Sequence, residues 1–174
     1  MKRAIVLALS VILALTMAAP TGLARSVNGV APGDASGTLI VNPGDPGFPG
    51  TCSFPLQLDL SGKGKTIELP NAVIFTSPGL DVTITNLANL ENQATFNITG
   101  SIHQQTTDPE TGAVTTLFRG RNLIFDAQAG TNIAIGNFSF VSIPAGPPGV
   151  EGDIVVQPLT STGGQLIDVC ALLA

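Results

Sequence analysis

The stretch Thr51–Leu60, "TCSFPLQLDL", alternates apolar and polar residues almost without exception. Cys52, Phe54, Leu56, Leu58 and Leu60 share one parity; Thr51, Ser53, Gln57 and Asp59 share the other. Extended backbone points successive side chains to opposite faces, so a period of two marks a strand with one dry face. The pattern recurs. Leu80, Val82 and Ile84 alternate with Asp81, Thr83 and Thr85, and Ala94, Phe96 and Ile98 alternate with Thr95, Asn97 and Thr99. Ile102 is expected to continue the second of these faces beyond Gly100. Helix signals are nearly absent.

Turn chemistry separates the strands. "TDPETGA", Thr107 to Ala113, reads as a hairpin tip: Pro109 presets φ and Gly112 supplies a positive one. Gly120 in "RGRNLIFDA" reads as a bulge. A second bulge is expected at Gly136-Asn137, because Ile133 and Ile135 lie on one parity and Phe138 and Phe140 on the other. "PAGPPGVEG" is a loop, after which Ile154–Val156 and Leu166–Val169 supply the last strands, separated by "TSTGG". Short strands between such turns predict an all-β fold, a single antiparallel meander domain of about eight or nine strands. A closed β-barrel is preferred, with a β-sandwich as the alternative.

The barrel preference comes from the cysteines. Cys52 opens the first strand of the body, and Cys170 is the other cysteine of the chain. In an exported protein a lone pair is more often bridged than free. A bridge holds Cα atoms within about 7 Å. The first and last strands must then be neighbours or face each other across the core, and in a closed meander they are neighbours. Cys170 shares parity with Asp168, whereas Ile167 and Val169 lie on the other face, so this strand is covered on both sides or has its register reset.

Export is expected from the N-terminus. Lys2 and Arg3 precede an apolar run, Ala4 to Ala19, broken only by Ser10 and Thr16. Small residues allow cleavage after Ala24, with Ala18 as the second choice. This is the pattern of a secretory signal peptide over 1–24, and the run is short of the roughly 20 apolar residues that an anchoring helix needs. Residues 25–50 read as a flexible segment rich in Gly and Pro, with Leu39-Ile40-Val41 as one short strand able to dock on the body. The all-β domain is 51–174.

Without Lys2 and Arg3 the chain keeps five basic and twelve acidic residues, a net charge of −7. That balance disfavours nucleic acid and anionic membrane as partners. The chain also lacks Trp and Tyr, which argues against sugar recognition by ring stacking.

Several stretches together, "CSFPLQLDLSGK", "TSPGLDVTITNLAN", "NITGS", "GRNLIF", "IGNFSFV" and "GQLIDVCAL", resemble a family of small secreted β-rich proteins of unknown function from high-GC Gram-positive and related bacteria. The resemblance spans Cys52 to Ala174 and implies an extracellular, bacterial β-domain. It implies no activity, cofactor or catalytic residue. The "PAGPPGVEGD" loop is longer than the family's turn there.

No catalytic constellation is recognisable, and neither a cofactor nor a metal site is expected. His103, the single histidine, reads as a solvent-exposed strand residue. Asp59, Asp81, Asp126, Asp153 and Asp168 lie in or beside strands and leave an atypical carboxylate-pair hydrolase as the weakest alternative. Asp168 is the only charge in "QLIDVCALL" and is a candidate buried acid. It is also a candidate partner for Arg119 or Arg121. These two arginines flank Gly120 and form a candidate anion site.

The leading expectation is a secreted, non-enzymatic β-domain serving as a structural or interaction module with a protein partner. The alternative is a β-barrel that binds a small hydrophobic ligand. A solid core favours the first, and a continuous cavity of several hundred Å³ the second.

Overall fold

The computed structural model describes residues 31–45, 47–144 and 153–174. The expected signal peptide and nearly all of the Pro144–Gly152 loop lie outside the described residues. Ten strands and a short helix follow in order: β1 (Gly33–Asp34), β2 (Gly37–Val41), β3 (Leu56–Leu69), β4 (Ala72–Ser77), β5 (Leu80–Asn86), β6 (Gln93–Asn97), β7 (Ser101–Thr107), β8 (Val114–Asp126), β9 (Gly130–Pro144), β10 (Asp153–Asp168) and α1 (Val169–Leu173). All pairs are antiparallel and belong to one sheet, ordered β10-β9-β8-β7-β4-β3-β5-β6, with β1 and β2 both against β3.

The order hides a simple meander. β4 and β5 lie end to end along one side of β3: Lys65–Leu69 pair with Ala72–Thr76, and Leu56–Gly62 pair with Leu80–Asn86. β6 and β7 lie end to end along β4 and β5 in the same way. From β3 onward the chain therefore makes six long ribbons, two of them broken, each turning back on the one before.

Both breaks fall on a line of glycines that crosses all six ribbons. Gly62, Gly79, Gly100, Gly120, Gly136 and Gly163 have positive φ. Gly120 pairs with Gly136, and Gly136 with Gly164 beside Gly163. Contacts across the line leave no room for a side chain. A Cβ on Gly62 would sit 1.9 Å from the Gly79 carbonyl oxygen, and one on Gly136 would sit 2.3 Å from that of Gly163. Glycine alone combines that backbone with that approach.

At this line the sheet divides. β8 pairs with β7 only up to Arg119; its remainder pairs with β9 alone. One half of the molecule thus has two layers, β2-β3-β5-β6 against the ends of β8, β9 and β10. Leu56, Leu58, Val82 and Ile84 from the first layer cluster with Ile133, Leu123 and Phe125 from the second. Leu56, Ile84 and Ile133 are wholly buried, each contributing about 1.5–3 kcal/mol by leaving water. The other face of the second layer is covered too: Ile124 and Ala134 join Phe118, Phe138 and Phe140 in a second cluster.

The preference for a closed barrel is not supported. The sheet runs from an edge at β10 to an edge at β6, and no ladder joins them. The bridge that motivated closure is formed, with Cys52 and Cys170 Cα atoms 5.3 Å apart, but it ties the coil before β3 to the helix after β10. It fastens the two layers across the core and joins no adjacent strands. The parity conflict at Cys170 disappears because the strand ends at Asp168, whose side chain accepts a hydrogen bond from the Ala171 amide at 3.0 Å and starts α1. The two last strands expected around "TSTGG" are one bulged strand, β10, with register shifts against β9.

The short strand expected at Leu39–Val41 forms and docks on β3. The N-terminal segment supplies β1 and β2, and Val41 is 1% exposed within the core. Leu39 and Val41 pair with Leu58 and Leu56 and face inward, while Ile40 is exposed.

Candidate functional site

Where the two-layered half meets the single-layered half, the described residues line a partly open cavity of about 790 Å³. Leu39, Leu58, Val82 and Phe125 contribute to its wall from the two-layered side, and Phe75, His103, Phe118 and Phe140 from the other. Most of the wall is apolar. Its size falls within the range of small-molecule sites, roughly 300–1,000 Å³. The divided sheet holds its walls apart, and Phe75 packs its ring directly on Gly64, where a Cβ would meet it at 2.8 Å.

The polar groups of the wall are few. Asp34, Lys65, Glu68 and Asp126 line the cavity, with Ser36, Thr66, Ser101, His103 and Asn122. Asp34 is occupied with Ser36, whose hydrogen bonds hold its carboxyl below the usual carboxylate range. Asp126 accepts the amides of Gln128 and Ala129 and shapes the β8–β9 turn.

His103 differs from these. It sits in β7 between two rings, paired with Phe75 of β4 and Phe118 of β8, and its own ring lies 4.8 Å from that of Phe118. Its Nε2 is shut off from solvent and has no hydrogen-bond partner among the described residues. Burial disfavours the imidazolium and pulls its pKa down to about 4, so the ring is neutral at neutral pH. The expectation of a solvent-exposed histidine is corrected. The face expected to run through Gly100 to Ile102 breaks there: Ala94, Phe96 and Ile98 point inward before the break, and Ser101 and His103 after it. Cross-strand pairing with Phe75 and Phe118 is the signal that identifies His103, and it is not visible along one strand.

The residues singled out from sequence do not converge. Asp168 is exposed and caps α1, so it is no buried acid. Arg119 and Arg121 are exposed. Arg121 Nη1 donates to the Asn97 carbonyl at 3.1 Å, spanning the seam where β8 parts from β6. Asp59 accepts from Thr38 and Gln57, whose hydrogen bonds keep its pKa low. Asp81 accepts from Asn97, and the Asp153 side chain lies outside the described residues. Among the described residues no three His, Cys, Asp or Glu side chains group as metal ligands, and no helix is long and apolar enough to cross a membrane.

No protein-family model, curated protein or solved structure matches this chain, so its reading rests on this geometry.

Proposed function

We propose that the chain is a secreted β-domain that binds a small apolar molecule in the cavity between its two halves. The observation that carries this reading is the cavity itself, about 790 Å³ with a mostly apolar wall. A structural or interaction module has no use for such a volume, which forfeits packing that a solid core would gain. A carboxylate hydrolase is disfavoured because Asp59, Asp81, Asp126 and Asp168 are each engaged in hydrogen bonds, across strands at Asp59 and Asp81 and within turn or cap at Asp126 and Asp168. Export is supported by the bridge between Cys52 and Cys170, which suits an oxidising compartment. It is also supported by the signal-like Lys2–Ala24 and by the resemblance to small secreted bacterial β-proteins.

The experiment is a fluorescence titration with N-phenyl-1-naphthylamine, a neutral dye that brightens in apolar surroundings. One saturable site is expected. Val73→Trp, which places an indole in the cavity wall, should remove it while circular dichroism stays unchanged. Absence of saturable binding, or binding indifferent to Val73→Trp, overturns the proposal.

A further inference from the structure

We infer that His103 is the polar anchor of the cavity, and that its ligand is a neutral amphiphile: an apolar tail ending in a hydroxyl or carbonyl oxygen, not a carboxylate. The inference rests on the binding reading above and adds the ligand class to it.

Three observations converge on His103. Its ring forms part of the cavity wall. Its cross-strand neighbours, Phe75 and Phe118, offer it no hydrogen bond. Its Nε2 is sealed from solvent and unpaired among the described residues. A buried polar atom without a partner is costly, and such atoms in a native fold call for a specific explanation. A ligand oxygen supplies one, either by rotation of the ring toward the cavity or by entry of the head group between the rings.

The chemistry of the ring selects the head group. A neutral imidazole carries one N–H and one lone pair. A hydroxyl can accept from the first or donate to the second, whichever nitrogen faces it. A carbonyl can accept from the N–H. A carboxylate would need a cation to offset its desolvation. Among the lining residues only Lys65 is a fixed base, against Asp34, Glu68 and Asp126. The field of the wall therefore opposes an anion, and the ring stays neutral because burial holds its pKa near 4. The remaining wall, with Leu58, Val82, Phe125 and Phe140, suits an aliphatic or fused-ring tail.

The test displaces the dye at pH 7.5 with 1-decanol, 2-decanone and decanoate, which share a chain length and differ in head group. The alcohol and the ketone should act at roughly tenfold lower concentration than the acid, the scale of one hydrogen bond kept or lost. His103→Leu should weaken decanol about tenfold more than it weakens the dye. Because the chain has a single histidine, ¹⁵N-histidine labelling gives a readout in the unmodified protein: decanol should shift the imidazole nitrogen resonances. Decanoate binding as well as decanol, decanol indifferent to His103→Leu, or nitrogen resonances that do not move would each overturn the anchor. In those cases the dye still binds and the cavity reading stands. If neither the dye nor any decyl compound binds, the cavity reading falls and the anchor with it.

Discussion

Cys52 and Cys170 are joined with Cα atoms 5.3 Å apart across 118 positions, and neither residue lies in a strand. Their bridge sits where the coil entering the first layer meets the helix leaving the second. Other contacts cross at the same end. Asn86 Nδ2 donates to the Leu173 carbonyl at 2.8 Å, Thr131 Oγ1 donates to the Gly50 carbonyl at 3.0 Å, and the Phe48 ring stands edge-on to Phe125 at 5.1 Å.

The bridge closes a loop long enough for a large effect on the unfolded chain. Cys52→Ser is expected to destabilise by about 4 kcal/mol. Urea titration of the oxidised parent and the variant measures it. Alkylation followed by mass analysis should find no free thiol in the parent without reductant and two with it. A loss below about 1 kcal/mol would mean that the layers hold without the bridge.

The N-terminal segment gives a contrast between neighbours. Val41 is 1% exposed and packs beside Leu56, whereas Ile40, one residue away, is 52% exposed. Val41→Ala should cost about 2 kcal/mol by opening a cavity in the core, and Ile40→Ala less than about 0.5 kcal/mol. Deleting everything before Asn42 should cost more than Val41→Ala, since Leu39 is lost as well. Equal, small effects of the two substitutions in thermal unfolding would return β2 to the status of a tether.

Thr116 carries a second sealed atom. It is 1% exposed and its Oγ1 has no partner among the described residues. Valine has nearly the same shape without the hydroxyl, so Thr116→Val should leave stability unchanged or raise it by up to about 1 kcal/mol. Most core substitutions destabilise, which makes the sign informative. A clear loss in urea titration would show that the hydroxyl has a partner in solution.

Much of the fold was legible within single ribbons. The alternation from Leu80 to Ile84 is realised in full, as β5 buries every second residue. Thr95 is exposed and meets Thr83 across the strands at 2.8 Å, while Phe96 packs on the core. The parity switch read at Gly136 falls on the glycine line. What escaped was how faces connect across that line. A positive-φ glycine can exchange the two faces of a strand, and a slip of one residue moves every side chain after it. Carrying the face of Phe96 through Gly100 to Ile102 therefore put His103 in water. Asp168 escaped for a different reason: α1 is five residues long and apolar throughout, too short to show a helical period, so it looks like one more strand. The cavity had no local signature, since its wall is assembled from distant stretches.

Acid should expose the state of His103. Its folded pKa is about 4, against 6.5 for the free side chain, because burial disfavours the charged ring. Its strand partners Phe75 and Phe118 are uncharged, and the charges sharing its cavity are Asp34, Lys65, Glu68 and Asp126. Above pH 6.5 the ring is neutral in both states and contributes no slope. As pH falls from 6.5 toward 4, the unfolded chain binds a proton that the folded one refuses, so stability drops; below about 4 both are protonated and the contribution levels off. Between pH 7.5 and 5 the loss is about 2 kcal/mol at the usual 1.36 kcal/mol per pH unit. Asp34, Asp59 and Asp108 have lowered pKa values, and their contributions are lost only at pH values lower still. Urea titrations at pH 7.5 and pH 5 should therefore show a loss of this size in the parent and almost none in His103→Leu. The same loss in both proteins would place the imidazole in contact with water and remove it from the cavity wall.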